Sequence, residues 1–300
     1  IYENMLGPKD DLLKRINELA SLLISLKLEN YSGSCWGYNF DWQARRLFLF
    51  PKNTPTIVAT SFCVESLLKA YDITKNDIYQ KTAISSSDFI INDLHQTSFK
   101  DGFFFSYSPL KGNDTVFNAS LLGAKTLALI YKYDNKDTYL KLAKMAIKTV
   151  CDLQEKDGSW RYGLLPIQSW KDSFHTGYNL EAMNLYQNIS KDDSFNSNID
   201  MGFKYYIKNF FTECGVPKYY NNKMYPIDIH CPAQLFVTLQ KLNKYKSHNV
   251  LAKEVVKWTI NNMQDKKGFF YYQLKPCMNT KISYMRWSNA FMFNALSYYL

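Results

Sequence analysis

Four glycines recur at nearly even intervals along the chain. They stand at positions 102, 158, 215 and 268, so that successive spacings are 56, 57 and 53 residues. Each follows a helix-like stretch and is flanked by aromatic residues. The copies are Asp101-Gly-Phe-Phe-Phe105, Asp157-Gly-Ser-Trp160, Glu213-Cys-Gly215 and Lys267-Gly-Phe-Phe270, with a degenerate fifth at Cys35-Trp-Gly-Tyr38. A period near 55 residues means stacked supersecondary units, each unable to bury its apolar face alone.

Each unit reads as two helices. One is amphipathic, as in Lys141, Lys144 and Lys148 opposite Leu140, Ala143 and Ile147. Helices of this kind are expected near 10–28, 77–94, 137–153, 198–212 and 248–263. The other is apolar nearly all round, as in Val116-Phe-Asn-Ala-Ser-Leu-Leu-Gly-Ala124, and belongs in an interior. Helices of this second kind are expected to start near Thr56, Val116, Phe174, Ile229 and Met285. Outer and inner helices alternating in this way describe an all-α protein, an α/α toroid. Six 55-residue hairpins would need roughly 330 residues, and the chain has 300. We therefore expect one domain over 1–300 with five to six hairpins, open or lacking its first hairpin. The glycines are expected to end the outer helices, where a left-handed residue is cheapest as glycine.

Composition narrows the function classes. The hydrophobic set is 46% and charged residues are 21%, enough apolar material for a packed core. Only 12 Gly and 9 Pro argue against a turn-rich all-β chain. No apolar run reaches the ~18 residues of a membrane span. The net charge is +9, which suits an anionic partner such as an acidic glycan. The basic residues are scattered, with Arg45-Arg46 and Lys244/Lys246 as the densest groups, which is not a nucleic-acid-binding arm. Six cysteines without a C-x-x-C read as buried thiols in a reducing compartment, hence a cytoplasmic protein. The opening Ile-Tyr-Glu-Asn reads as a processed, trimmed or partial chain.

If the inner-helix N-termini converge on one mouth, the residues at their starts line a common cavity. These are Asn118; Asp172, His175 and Tyr178; Asp228, His230 and Cys231; and Tyr284, Arg286 and Trp287. The preceding loops add Trp36, Tyr38, Asp41, Trp42, Arg45 and Trp170. Only four histidines occur in the chain, and His175 and His230 fall at equivalent points of adjacent repeats. Helix N-termini also favour anions. Glycoside cleavage needs two carboxyl groups flanking a bond and aromatic rings to stack on sugars. Asp172 and Asp228 are the pair, with Asp41 a third carboxylate. β-Elimination or C5-epimerisation of a uronic acid needs a neutralised carboxylate and a base, roles that fit Asn118, His175, Tyr284 and Arg286. His230 joins the catalytic candidates. Trp36, Tyr38, Asp41, Trp42, Arg45, Asn118, Trp170, Tyr178 and Trp287 are the candidate substrate-binding residues. No cofactor is expected. His175, Asp228, His230 and Cys231 form a weaker set for Zn, and a glycan-binding protein without catalysis is the non-enzymatic reading.

The repeat and its inner-helix motifs resemble the six-hairpin glycosidase-like proteins. Cys35-Trp-Gly-Tyr-Asn-Phe-Asp-Trp-Gln43, Trp170-Lys-Asp-Ser-Phe-His-Thr-Gly-Tyr178, Pro226-Ile-Asp-Ile-His230 and Tyr284-Met-Arg-Trp-Ser288 are similar to an uncharacterised bacterial family that occurs with polysaccharide biosynthesis genes. These likenesses imply a toroid and a carbohydrate context but no particular reaction; the leading expectation is a glycoside-hydrolase-like enzyme on a bacterial, acidic glycan, with a uronate lyase or C5-epimerase second. Asp172-Ser-Phe-His-Thr-Gly-Tyr-Asn-Leu180 also resembles the zinc-histidine helix of protein prenyltransferase β subunits, which implies a zinc role for His175. Gln154-Glu-Lys-Asp-Gly-Ser-Trp160 resembles the Gln-Trp repeat of triterpene cyclases. In the prenyltransferases the Asp and Cys ligands precede the histidine, whereas here Asp228 and Cys231 follow it. The Asp-x-Asp-Asp acid of the cyclases is absent from this chain.

Overall fold

The computed structural model describes residues 9–44, 48–277 and 279–299. Five amphipathic helices alternate with five apolar ones. The amphipathic set is α1 (Lys9–Ser25), α3 (Asp77–Asp88), α5 (Asp137–Cys151), α7 (Asn196–Phe210) and α9 (Asn249–Met263). The apolar set is α2 (Ile57–Thr74), α4 (Phe117–Asp134), α6 (Ser173–Ser190), α8 (His230–Lys241) and α10 (Ala290–Tyr299). In α4, α5 and α8 burial follows the sequence pattern, whereas α10 buries only Met292 and Ala295. Every residue from Phe117 to Ala128 of α4 and from His230 to Leu239 of α8 is buried. In α5 only the Tyr139, Ala143, Ala146–Ile147 and Thr149–Cys151 face is buried, while Lys141 and Lys144 are exposed. Three short antiparallel ladders lie in the loops: β1 (Trp42–Ala44) with β2 (Phe48–Phe50), β3 (Gln96–Phe99) with β4 (Gly102–Phe105), and β5 (Ile227–Asp228) with β6 (Gln273–Leu274). Among the described residues, no helix is long and apolar enough to cross a membrane.

The chain packs as two compact units. One runs to Asp152 and includes Leu185–Asp192; the other comprises Leu153–Asn184 and the chain from Asp193 onward. In the first, α2 packs on α3 and α4, and α4 on α5. A buried ion pair, Lys125 Nζ to Glu65 Oε2 at 2.8 Å, joins α4 to α2. In the second, α8 packs on α9 and α10. Glu181 of α6 accepts from Gln234 and, at 3.1 Å, from Thr238, both of α8. Gly177 of α6 lets the two helices approach, since a Cβ there would meet the Gln234 and Thr238 side chains.

The repeat glycines do not end the outer helices. The left-handed positions sit instead just past the inner helices, on Lys75, Asn135, Lys191 and Asn243, with φ between 53° and 61° in the four cases. Lys75 and Asn135 close α2 and α4 by donating to the carbonyls of Tyr71 and Tyr131. Gly158, Gly215 and Gly268 lie five to seven residues beyond α5, α7 and α9, at φ of 89°, 75° and 94°. All three occupy the same tight turn. Its first residue donates to the carbonyl four residues on (Glu155 to Ser159, Thr212 to Val216, Asp265 to Phe269), and the glycine donates back to that first residue. Only a residue at home with positive φ completes such a turn.

The glycine also sits hard against the next outer helix within its unit. A Cβ on Gly102 would lie 2.6 Å from the Met145 carbonyl of α5, one on Gly158 would lie 2.5 Å from that of Met201 in α7, and one on Gly215 would strike the Glu254 backbone of α9. Gly33 meets Ser85 of α3 in the same way, so Gly33, rather than Gly37, is the earliest copy. A Cβ on Gly268 would meet nothing within 4 Å among the described residues. The repeat thus marks where a turn docks on a helix backbone, and Gly102, with no positive φ, is kept by that contact alone.

Candidate active site

The second unit gathers most of the candidate residues. Asp172 immediately precedes α6 and Asp228 lies two residues before α8, one repeat apart in sequence. Both carboxylates are buried, at 3% and 1% exposure, and each accepts an indole N–H, from Trp170 Nε1 at 2.9 Å and Trp287 Nε1 at 3.0 Å. Both also accept the backbone N–H of a following histidine: His175 on Asp172 Oδ1 at 3.1 Å and His230 on Asp228 Oδ1 at 3.0 Å. Asp172 caps α6 in this way, and Asp228, one residue ahead of the Ile229 cap position, takes the first open N–H of α8. Trp287 reaches Asp228 because residues 285–289 form a wide π turn ahead of α10. Such turns redirect side chains where the regular helix would carry them past.

The two look-alike motifs then diverge. His175 lies three residues after its aspartate, so the first helical turn swings its ring back onto the carboxylate. Its Nδ1 is 2.9 Å from Asp172 Oδ1 and 2.8 Å from Oδ2. His230 lies two residues after Asp228 and its ring points elsewhere. Its Nε2 meets the Tyr178 hydroxyl at 2.6 Å, while the Asp228 oxygens are taken by Trp287 and by Gln273 Nε2 at 3.1 Å. His230 is stacked on Phe174, with ring centroids 4.4 Å apart and planes 3° apart, and is flanked by Trp287 and Phe291. Its Nδ1 is buried without a hydrogen-bond partner. Burial, with the neighbouring His175 adding to it, holds the His230 pKa well below the ordinary histidine value, so this ring is neutral near pH 7.

His175 is different. Its side chain is 19% exposed, above an Asp172 side chain at 0%. Tyr162, Phe174 and Tyr178 surround the ring, and Tyr162 in turn stacks on Trp170 at 4.5 Å and 18°. A carboxylate can only accept, so Nδ1 carries the proton and Nε2 presents its lone pair. Buried acid, oriented imidazole and partial access to solvent are the features that general-base chemistry requires. Asp172 itself is bonded on both oxygens and shielded from solvent.

The remaining candidates are placed as follows. Tyr284 and Arg286 are exposed, Tyr284 with its edge to Tyr272 at 5.3 Å. Cys231 is fully buried and its thiol is raised well above its usual pKa, chiefly by burial. No group of three or more His, Cys, Asp or Glu able to hold a metal occurs among the described residues. The zinc set of His175, Asp228, His230 and Cys231 therefore does not assemble, because His230 and Asp228 spend their polar atoms on Tyr178, Trp287 and Gln273. In the first unit, Trp36 is buried at 3% and gives its indole N–H to the Leu23 carbonyl of α1 at 2.7 Å, a core residue rather than a sugar platform. Tyr38, Trp42, Phe50 and Tyr107 form an aromatic cluster in which Trp42 stacks on Phe50 at 5.3 Å. Asp41 is exposed and accepts from the Lys52 backbone N–H at 2.7 Å. Asn118 is buried in the first turn of α4 with its Oδ1 unpartnered. Arg45 lies outside the described residues.

Tyr162, Phe174 and Gln273 belong to the site and escaped the sequence reading. Phe174 carried a weak signal, its place between Asp172 and His175. Gln273 had none, since it reaches Asp228 only through the pairing of β5 with β6.

No family model matches the chain, and no curated protein does. Solved structures do. A sugar epimerase from a ruminal bacterium is similar at a TM-score of 0.67 and 10% identity, over 90% of this chain and 77% of that one. The cellobiose 2-epimerase of Bacillus thermoamylovorans is similar at 0.68 and 13%, over 91% and 78%. A GH76 α-mannanase of Bacteroides thetaiotaomicron is similar at 0.64 and 14%, over 96% and 82%. All have six-hairpin α/α toroid glycosidase-like folds. The chain shares the α/α toroid fold, with five helical hairpins among the described residues. At these identities the likeness speaks for the fold alone.

Proposed function

We propose that the protein is a carbohydrate-active enzyme whose chemistry runs through His175, oriented by Asp172, on an acidic glycan. The observation that carries this reading is the Asp172–His175 contact at 2.8 Å, with the acid buried and the base partly open. The named activities of the structural neighbours and the +9 charge supply the carbohydrate and the acidic character. An imidazole lone pair held in this way removes a proton from a carbon made acidic by a neighbouring carbonyl or carboxylate. That is the first step of epimerisation and of uronate β-elimination. Tyr178, one turn along α6 with its hydroxyl bonded to neutral His230, is a group that can return or receive a second proton.

Glycoside hydrolysis is the second reading, motivated by two aspartates one repeat apart and by a glycoside hydrolase among the neighbours. The environments of Asp172 and Asp228 weigh against it, since a general acid or nucleophile must face the sugar and both carboxylates are buried and multiply bonded. Incubation with uronic-acid polysaccharides and with neutral disaccharides in D2O separates the cases. Solvent deuterium at a sugar carbon, or ultraviolet absorbance from an unsaturated product, supports proton abstraction. New reducing ends without either support hydrolysis. An activity that survives intact in both His175→Ala and Asp172→Ala removes this site from consideration.

A further inference from the structure

A groove of about 190 Å³ lies beside the dyad, lined by Ser169, Trp170, Lys171, Tyr220, Asn221 and Asn222. Its walls are tied to the site. Trp170 donates to Asp172 at 2.9 Å, and Tyr220 is bridged through its backbone to Asp172 on one side and to Lys223 on the other. Trp170 and Tyr220 give the lining its aromatic rings, and Ser169, Asn221 and Asn222 its hydroxyl and amide groups. That combination matches the two faces of a sugar ring, apolar C–H above and hydroxyls around the edge.

The charges round the groove are of two kinds. Lys171 is neutralised by Glu155 at 2.7 Å and Asp157 at 3.5 Å. Lys218 and Lys223 are not neutralised. Lys218 Nζ donates only to the Asn221 carbonyl at 2.7 Å, and burial without a counter-charge lowers its pKa. Lys223 Nζ sits 4.4 Å over the Tyr220 ring. Neither meets a carboxylate among the described residues. Neither lysine lines the groove itself, but each touches a residue that does, Lys218 through Asn221 and Lys223 through Tyr220, and two such cations on one short loop call for an anion carried by the ligand.

We propose that this groove is a subsite for an acidic sugar, whose ring packs on Trp170 and Tyr220 and whose anionic group is received by Lys218 and Lys223. It rests on the carbohydrate reading above but not on the chemistry assigned to His175. The shared chemistry is a single negative charge on a pyranose, a carboxylate in uronates or a sulfate ester.

Titration calorimetry with D-glucuronate, glucose 6-sulfate and glucose, on the wild-type chain and on His175→Ala, tests it. Each exposed ion pair contributes up to about fivefold, so the acidic sugars are expected to bind about five- to twentyfold more tightly than glucose, less so as salt rises. His175→Ala keeps this preference even if the proposed chemistry is wrong. Lys218→Gln with Lys223→Gln abolishes it and leaves glucose binding in place, with circular dichroism confirming the fold. A stronger response to the uronate or to the sulfate identifies which acid the site takes. Equal binding of acidic and neutral sugars, no binding of any of them, or a preference that survives the double substitution overturns the proposal.

Discussion

Asp172→Asn isolates what the buried carboxylate does. The substitution keeps shape and removes charge. In the native site one oxygen accepts from the His175 backbone at 3.1 Å and its ring at 2.9 Å, and the other from Trp170 Nε1 at 2.9 Å and the same ring at 2.8 Å. An asparagine amide has one accepting oxygen and one donating nitrogen. In one orientation its N–H₂ opposes the Trp170 indole; in the other it opposes the His175 backbone N–H. Either way a buried donor is stranded and a hydrogen bond to a charged acceptor is lost. Such losses sum to about 2–4 kcal/mol, which in a domain of this size lowers Tm by about 3–6 °C. The charge that pinned the proton on Nδ1 also goes, so the Nε2–H tautomer gains population and the exposed lone pair disappears. Long-range ¹⁵N–¹H correlation spectra of histidine-labelled protein read the tautomer without any substrate. The expected change is from Nδ1–H in the native chain to a majority of Nε2–H in the variant, with any sugar-converting activity reduced about 10²–10⁴-fold. A native His175 found as the Nε2–H form, or a variant with unchanged tautomer and Tm, would refute the dyad.

Three further outcomes follow from the same geometry. Gly268→Ala is expected to cost only the left-handed strain it introduces, about 1–2 kcal/mol, whereas Gly158→Ala also brings a Cβ to 2.5 Å from the Met201 carbonyl oxygen and costs about 1–3 kcal/mol more; equal Tm values in thermal unfolding would contradict the docking role of the repeat glycine. His230 is expected to stay neutral well below the usual histidine pKa, because its folded value is depressed by burial. The stability it contributes is therefore complete above about pH 6.5 and declines as pH falls below that toward its folded pKa, which ring chemical shifts followed from pH 8 to 5 will check, a midpoint near 6.5 counting against it. Tyr178→Phe removes the 2.6 Å partner of His230 and leaves a second ring nitrogen buried and unpaired, at a cost of about 1–3 kcal/mol; denaturant unfolding with no change in midpoint would show the contact to be idle.

The helices were legible from the sequence because two different periodic patterns alternate in it. The apolar run 116–124 and the lysine stripe of 141–148 are local, and local pattern decides which face a helix buries. The glycine repeat was legible as a period and misread as a cap, since a spacing does not say whether a glycine is kept by its φ or by a neighbour's backbone. Gly102 and Gly33 make the point: their reason is Met145 and Ser85, residues 43 and 52 positions away.

The site divides along the same line. Asp172 and His175 are three residues apart on one helical turn, so their contact is written in the sequence. Asp228 and His230 looked equivalent one repeat later, and only the fold shows that Asp228 is claimed by Trp287 and Gln273 while His230 is turned to Tyr178. The sequence determined the helical alternation, the period and the first dyad, because helix geometry links residues a few positions apart. Tertiary structure decided which histidine is open and which is buried, because burial and long-range hydrogen bonds depend on residues that only folding brings together.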